Sequence, residues 1–194
     1  MNTAWEIQVI KYYQQYMEVE KSLIDRNDIF GALAHFRIAR NFSGISDIQQ
    51  KEQLILGINN IVENTSLSSD EKYIHLFNHF KDTYKKELIS ATSKILWFTD
   101  SKESHIIYDT IALNNLTKIK GNVAGLGYNK YFSYRDKWQE LYKENHALIE
   151  SAINRVKDFL TKTPNFDVKS LIVMDSPWFK MRVLDMYLWS SVYG

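Results

Sequence analysis

The feature that most constrains this chain is its near lack of backbone breakers: two prolines and seven glycines are spread over 194 residues. Long stretches therefore contain nothing that interrupts a hydrogen-bonded helix. Within them apolar and aromatic side chains recur at the spacing of one helical face, as in Trp5, Val9, Tyr12, Tyr16, Val19 and Leu23. The pattern predicts an all-α protein, one compact multi-helix domain over residues 1–194. The alternative division is an N-terminal lobe, residues 1–66, packed on residues 67–194.

Start and stop signals divide the chain further. Asp28 opens a helix that ends before the Ser43-Gly44 break, with Phe30, Leu33, Ala34 and Ile38 facing inward. Ser46 and Gln49 have capping-box spacing ahead of Leu54, Ile55, Ile58, Ile61 and Val62. Ser69 is the expected cap of "SDEKYIHLFNHF". Residues 88–99 read as a helix with Leu88, Ala91, Thr92, Ile95 and Leu96 on one face and Lys94 at its edge. The glycine-rich "KGNVAGLGYN" reads as a connection to a long helix over residues 133–160. Ser176 and Pro177 open a closing helix.

Several chemistries are excluded or disfavoured. Without cysteine there is no disulfide, zinc ribbon or thiol nucleophile. His75 and His79 have the i, i+4 spacing of two metal-binding imidazoles, but no HExxH pattern or third ligand accompanies them, so no metal or other cofactor is expected. The glycines match neither phosphate-loop pattern. With no secretory-type start and no apolar run of roughly 20 residues, a soluble, cytoplasmic protein without a membrane partner is expected. The net charge of +1 gives no overall basic field. Cations nevertheless gather late, at Lys118, Lys120, Lys130, Arg135, Lys137, Lys143, Arg155, Lys157, Lys162, Lys169, Lys180 and Arg182, which suggests a basic C-terminal face. Oligomeric state is not legible.

Lys94 in "SATSKILWF" and Asp109 ahead of "TIALNNL" form the candidate catalytic pair. Each also has an ordinary explanation: a lysine snorkels from a core boundary, and an aspartate caps the helix it precedes. "SATSKILWF", the following "IIYD" and the terminal "RVLDMYLWS" resemble motifs of bacterial proteins similar to 8-oxoguanine DNA glycosylases of the helix-hairpin-helix superfamily. The resemblance spans roughly the second half of the chain. It implies that Lys94 attacks the sugar C1′ and that Asp109 assists departure of the base, with DNA as the partner. Ser93, Trp97, Tyr108, Tyr128, Lys130 and Arg182 are the expected substrate-binding residues. Tyr131 and Trp178 are further aromatic groups able to stack on an extruded base. The chain departs from the family pattern just before the lysine, where "KKELISATSK" holds no glycine and reads as continuous helix. The competing expectation is a catalytically silent helical module that binds nucleic acid or protein, in the antiviral-defence setting some resembling proteins occupy.

Overall fold

The computed structural model describes residues 4–164 and 166–190. These form nine α-helices and no strand: α1 (Ala4–Gln15), α2 (Lys21–Asp25), α3 (Ile29–His35), α4 (Ile48–Val62), α5 (Ser69–Tyr84), α6 (Ile89–Thr99), α7 (Thr110–Lys120), α8 (Tyr128–Leu160) and α9 (Pro177–Ser190). The all-α expectation holds. The chain divides into two compact units, one of Met1–Lys21, Thr110–Val123 and Tyr134–Gly194, the other of Ser22–Asp109 and Ala124–Ser133. Residue 66 falls inside the second unit, between α4 and α5.

In the first unit α1 packs on α9, and α9 also packs on α7. Between α1 and α2 the backbone takes a π-helical turn, Tyr16–Glu20. Its wider ring inserts one residue into the 3.6-residue register. The predicted stripe is therefore displaced: Val19 is 38% exposed, whereas Glu20 is buried at 2%. Glu20 is accommodated by a polar network. Tyr12 Oη donates to its Oε2 at 2.9 Å, Gln15 Nε2 donates to its Oε1 at 2.7 Å, and Arg182 Nη2 lies 3.6 Å from Oε1. Arg182 Nη1 also donates to Asp185 Oδ2 at 2.8 Å, and Trp138 Nε1 donates to Asp185 Oδ1 at 2.8 Å.

In the second unit α4 packs on α5, and α6 packs on both α5 and α3. Gly57 of α4 allows a close approach, because a Cβ there would stand 2.4 Å from Nε2 of His79. Three sequence expectations are corrected by one to five residues. Asp47, not Ser46, caps α4, accepting from Gln50 N at 3.0 Å. Ser68, not Ser69, caps α5, in a complete capping box with Glu71. In both cases the residue with extended backbone turns its side chain back onto the first helical turn, and that residue lies one position from the one chosen by spacing. Helix α8 starts five residues before the expected residue 133, directly after Gly127, whose φ is +55°.

The "KKELISATSK" stretch is also not one continuous helix. α5 stops at Tyr84, Lys85 takes a left-handed conformation with φ of 55°, and α6 begins at Ile89. The two helices therefore form a hairpin whose left-handed turn residue is a lysine where glycine is usual.

Candidate functional site

Helix α6 sets the site. Every residue from Ala91 to Phe98 is buried, so the helix has no solvent face along this stretch. A helix buried all round lies in the interior of its unit. Lys94, expected at an edge, is instead inside, at 5% exposure. Its Nζ donates to Asp109 Oδ2 at 3.1 Å. The side chains of the pair are 7% and 17% exposed, so the lysine is enclosed and the aspartate keeps a partial path to water.

Asp109 reaches Lys94 at the end of a short connection that is buried from His105 to Tyr108. Such a segment must find partners for its backbone groups away from water. Ser93 Oγ accepts the N–H of Tyr108 at 3.0 Å while donating to the Ser90 carbonyl at 3.0 Å. Thus the residue beside Lys94 grips the residue beside Asp109. Tyr131 Oη accepts the N–H of Ile106 at 3.1 Å, and its ring stacks on Tyr73 with centroids 3.8 Å apart.

The start of the connection is tied down by charge. Asp100, which ends α6, accepts from Lys72 Nζ at 2.7 Å through one oxygen and lies 2.8 Å from His105 Nε2 through the other. Burial pushes the Asp100 carboxyl up, but the hydrogen bonds from Lys72 and His105 and their charges prevail and hold it below its ordinary value. The Tyr108 phenol is pushed up, first by burial and then by the charge of Asp109.

Magnitudes show what the Lys94–Asp109 pair does and does not contribute. At 3.1 Å and an effective dielectric of about 20 the gross attraction is roughly 5 kcal/mol. Desolvating two ions costs several kcal/mol each, so the pair is not a net source of stability. Its chemical content is the greater: a primary amine and a proton-accepting carboxylate are held at hydrogen-bond distance in a largely dry setting.

The remaining expected site residues fall as follows. Trp97 is buried and meets Phe36 edge-on at 5.8 Å, with Lys102 Nζ 5.6 Å over its ring. Tyr108 is buried beside Asp109. Tyr128 is half-buried against Phe77, and Lys130 is half-buried in the same first turn of α8. Tyr131 serves the backbone as described. Arg182 and Trp178 belong to the first unit. Arg182 is buried between Glu20 and Asp185, and Trp178 packs on Tyr12 and Tyr16.

An apolar depression beside Lys94, lined by Ile29, Leu33, Phe36, Ile95 and Phe98 among others, is narrower than a water molecule. In this conformation it does not hold a nucleoside. Among the described residues no group of three or more histidines, aspartates or glutamates is arranged to hold a metal ion. Among the same described residues no helix is long and apolar enough to cross a membrane. The late cations are extensively paired: Lys120 with Glu144 and Glu140, Arg155 with Glu6, Lys157 with Asp175, and Lys180 with Glu150.

Sequence reasoning missed Lys72, Asp100 and His105. The available signal was a histidine heading an apolar run, "HIIY", which needs a buried partner. No protein-family model, curated protein or solved structure matches the chain.

Proposed function

We propose that the protein is a DNA glycosylase/lyase-like enzyme that works through Lys94 and Asp109. The observation that carries this reading is the 3.1 Å contact between an enclosed lysine amine and the carboxylate of a residue fifteen positions away. In the reaction Lys94 passes one proton to Asp109, and its lone pair bonds to the sugar C1′. The C1′–N bond breaks, and its electron pair leaves with the base, which takes the proton held by Asp109. The alkylated Lys94 Nζ then returns a proton to Asp109, its lone pair forms the C1′=N bond of an iminium as the C1′–O4′ bond breaks, and O4′ takes that proton from Asp109. The Asp109 carboxylate, while ionised, favours the positive charge that develops on the sugar. The depression beside Lys94 is too narrow for a nucleotide, so an extruded nucleotide entering from that side needs the packing of α3 on α6 to loosen.

Borohydride trapping tests the proposal. Native protein incubated with oligonucleotides carrying abasic sites, uracil or oxidised purines should give a covalent protein–DNA adduct, and Lys94→Ala should give none. Failure of the native protein to trap any member of the panel would defeat the enzyme reading. The closed depression and the paired late cations favour a second reading, a catalytically silent helical binding module. On that reading binding survives Lys94→Ala. A steep fall in affinity with salt marks a nucleic-acid partner, whereas a flat response marks a protein.

A further inference from the structure

We infer that Ser93 and Tyr131 are positioning residues, which hold Asp109 in register with Lys94 by gripping the backbone of the connection that carries it. The inference rests on the Lys94–Asp109 reading above and deepens it.

Asp109 follows an interhelical turn and a segment with no regular secondary structure from residue 105 onward. Regular hydrogen bonding therefore does not set the height of its carboxylate along α6. Two side-chain hydroxyls act at its backbone instead, and both are buried. Ser93 takes the N–H one residue before Asp109, and Tyr131 takes the N–H three residues before it. Ser93 is itself oriented by donating to the Ser90 carbonyl, so its lone pairs face the connection. Tyr131 is held by its ring stack on Tyr73. Ser93 and Lys94 are adjacent on one rigid helix, so the grip and the amine share a common frame. A slip of one residue in the connection, about 3.3 Å of chain, would break the contact between amine and carboxylate. Neither hydroxyl needs to touch substrate for this purpose. Ser93, expected among the substrate-binding residues, thus acts through Asp109.

The test is a double-mutant cycle read on Lys94 itself. The rate of reductive methylation of Lys94 by formaldehyde and cyanoborohydride is followed by peptide mass spectrometry in the native protein, Ser93→Ala, Asp109→Asn and the double variant. Loss of one hydrogen bond's net contribution corresponds to about a fivefold rise in rate. Ser93→Ala and Asp109→Asn should each produce a rise of that order, and the double variant should match Asp109→Asn alone. Ser93→Thr, which keeps the hydroxyl, should restore the native rate. Tyr131→Phe removes only the hydroxyl and keeps the ring stack, so it should shift the rate in the same direction as Ser93→Ala. Labelling of Lys72, half-buried in the same unit and paired with Asp100, reports general loosening and should not change.

Additive effects of Ser93→Ala and Asp109→Asn, no change in Lys94 labelling in Ser93→Ala, or a parallel rise at Lys72 would overturn the inference. The outcome is separable from that of the enzyme reading. A non-additive cycle without DNA trapping leaves the positioning role standing and removes the glycosidic chemistry. Trapping with an additive cycle does the reverse.

Discussion

The two units each bury a cation against carboxylate, yet they do so in different ways. In the first unit Arg182 faces two acids, Glu20 and Asp185, and these are further bound by Tyr12, Gln15 and Trp138. Burial pushes the guanidinium down, but the charges of Glu20 and Asp185 outweigh it and hold it above its ordinary value. Arginine does not give up its proton in proteins, so its cation is permanent, and the network around it locks the π-helical turn and α9 together. In the second unit Lys94 meets the carboxylate of a segment that is itself held by side chains. Lysine can shed its proton when desolvated, and its amine is a nucleophile once it does. The same pairing of opposite charges thus serves architecture in one place and is suited to chemistry in the other.

The largest expected effect breaks the comparison at its structural end. Arg182→Ala leaves Glu20 and Asp185 buried without their cation, and removing one partner of such a group costs about 3–5 kcal/mol. Lys94→Met keeps the volume and leaves one carboxylate that is 17% exposed, so its cost should be about 1–3 kcal/mol. Denaturant unfolding followed by circular dichroism measures both. If Lys94→Met destabilised the protein more than Arg182→Ala, the assignment of the lysine pair to chemistry rather than architecture would be lost.

That contrast also marks how far the sequence could be read. Helical spacing and scarce breakers gave the all-α class, the Asp28 cap and Pro177 at the first position of α9, because these depend on near neighbours along the chain. The π-helical turn was hidden: Val19 continues the apolar stripe, and only the tertiary partners of Glu20 make the wider turn worthwhile. The break at Lys85 was hidden for a similar reason, since lysine carries no preference for a left-handed backbone. Lys94 and Asp109 could be nominated by residue type and resemblance. Their separation of 3.1 Å could not be read, because it depends on Ser93 meeting the N–H of Tyr108 across fifteen residues.

The cluster at the other end of the connection sharpens the comparison through pH. Asp100 is held below the ordinary carboxyl value of 3.8 by Lys72 and His105. A carboxyl lowered in the folded state contributes stability that is complete above its unfolded value and disappears as pH falls through its folded value. Asp100→Asn should therefore be less stable than the native protein near neutral pH. The two should converge as pH drops below about 4, with a shallower acid limb for the variant. Equal destabilisation at every pH would show that the carboxylate charge contributes nothing there.

The smallest expected effect concerns the helix that covers Lys94. Asp28 caps α3, its Oδ1 accepting from Gly31 N at 2.8 Å, and loss of such a cap costs about 1 kcal/mol. The change acts locally, because α3 is only seven residues long and gains little from its own backbone hydrogen bonds. Asp28→Ala should therefore speed hydrogen exchange in residues 29–36 while leaving α5 amides protected, and should raise labelling of Lys94 before global stability changes appreciably. Gly31→Ala tests the same packing from the opposite side: a Cβ there would stand 2.5 Å from Leu23 Cδ2 and 2.6 Å from Asp28 Oδ2. The cap and the added methyl cannot both be accommodated without a shift, so that variant should also loosen α3 despite alanine's better helix propensity. If both variants left Lys94 labelling unchanged, α3 would not control access to the amine, and the route to the pair would have to pass along the connection beside Asp109.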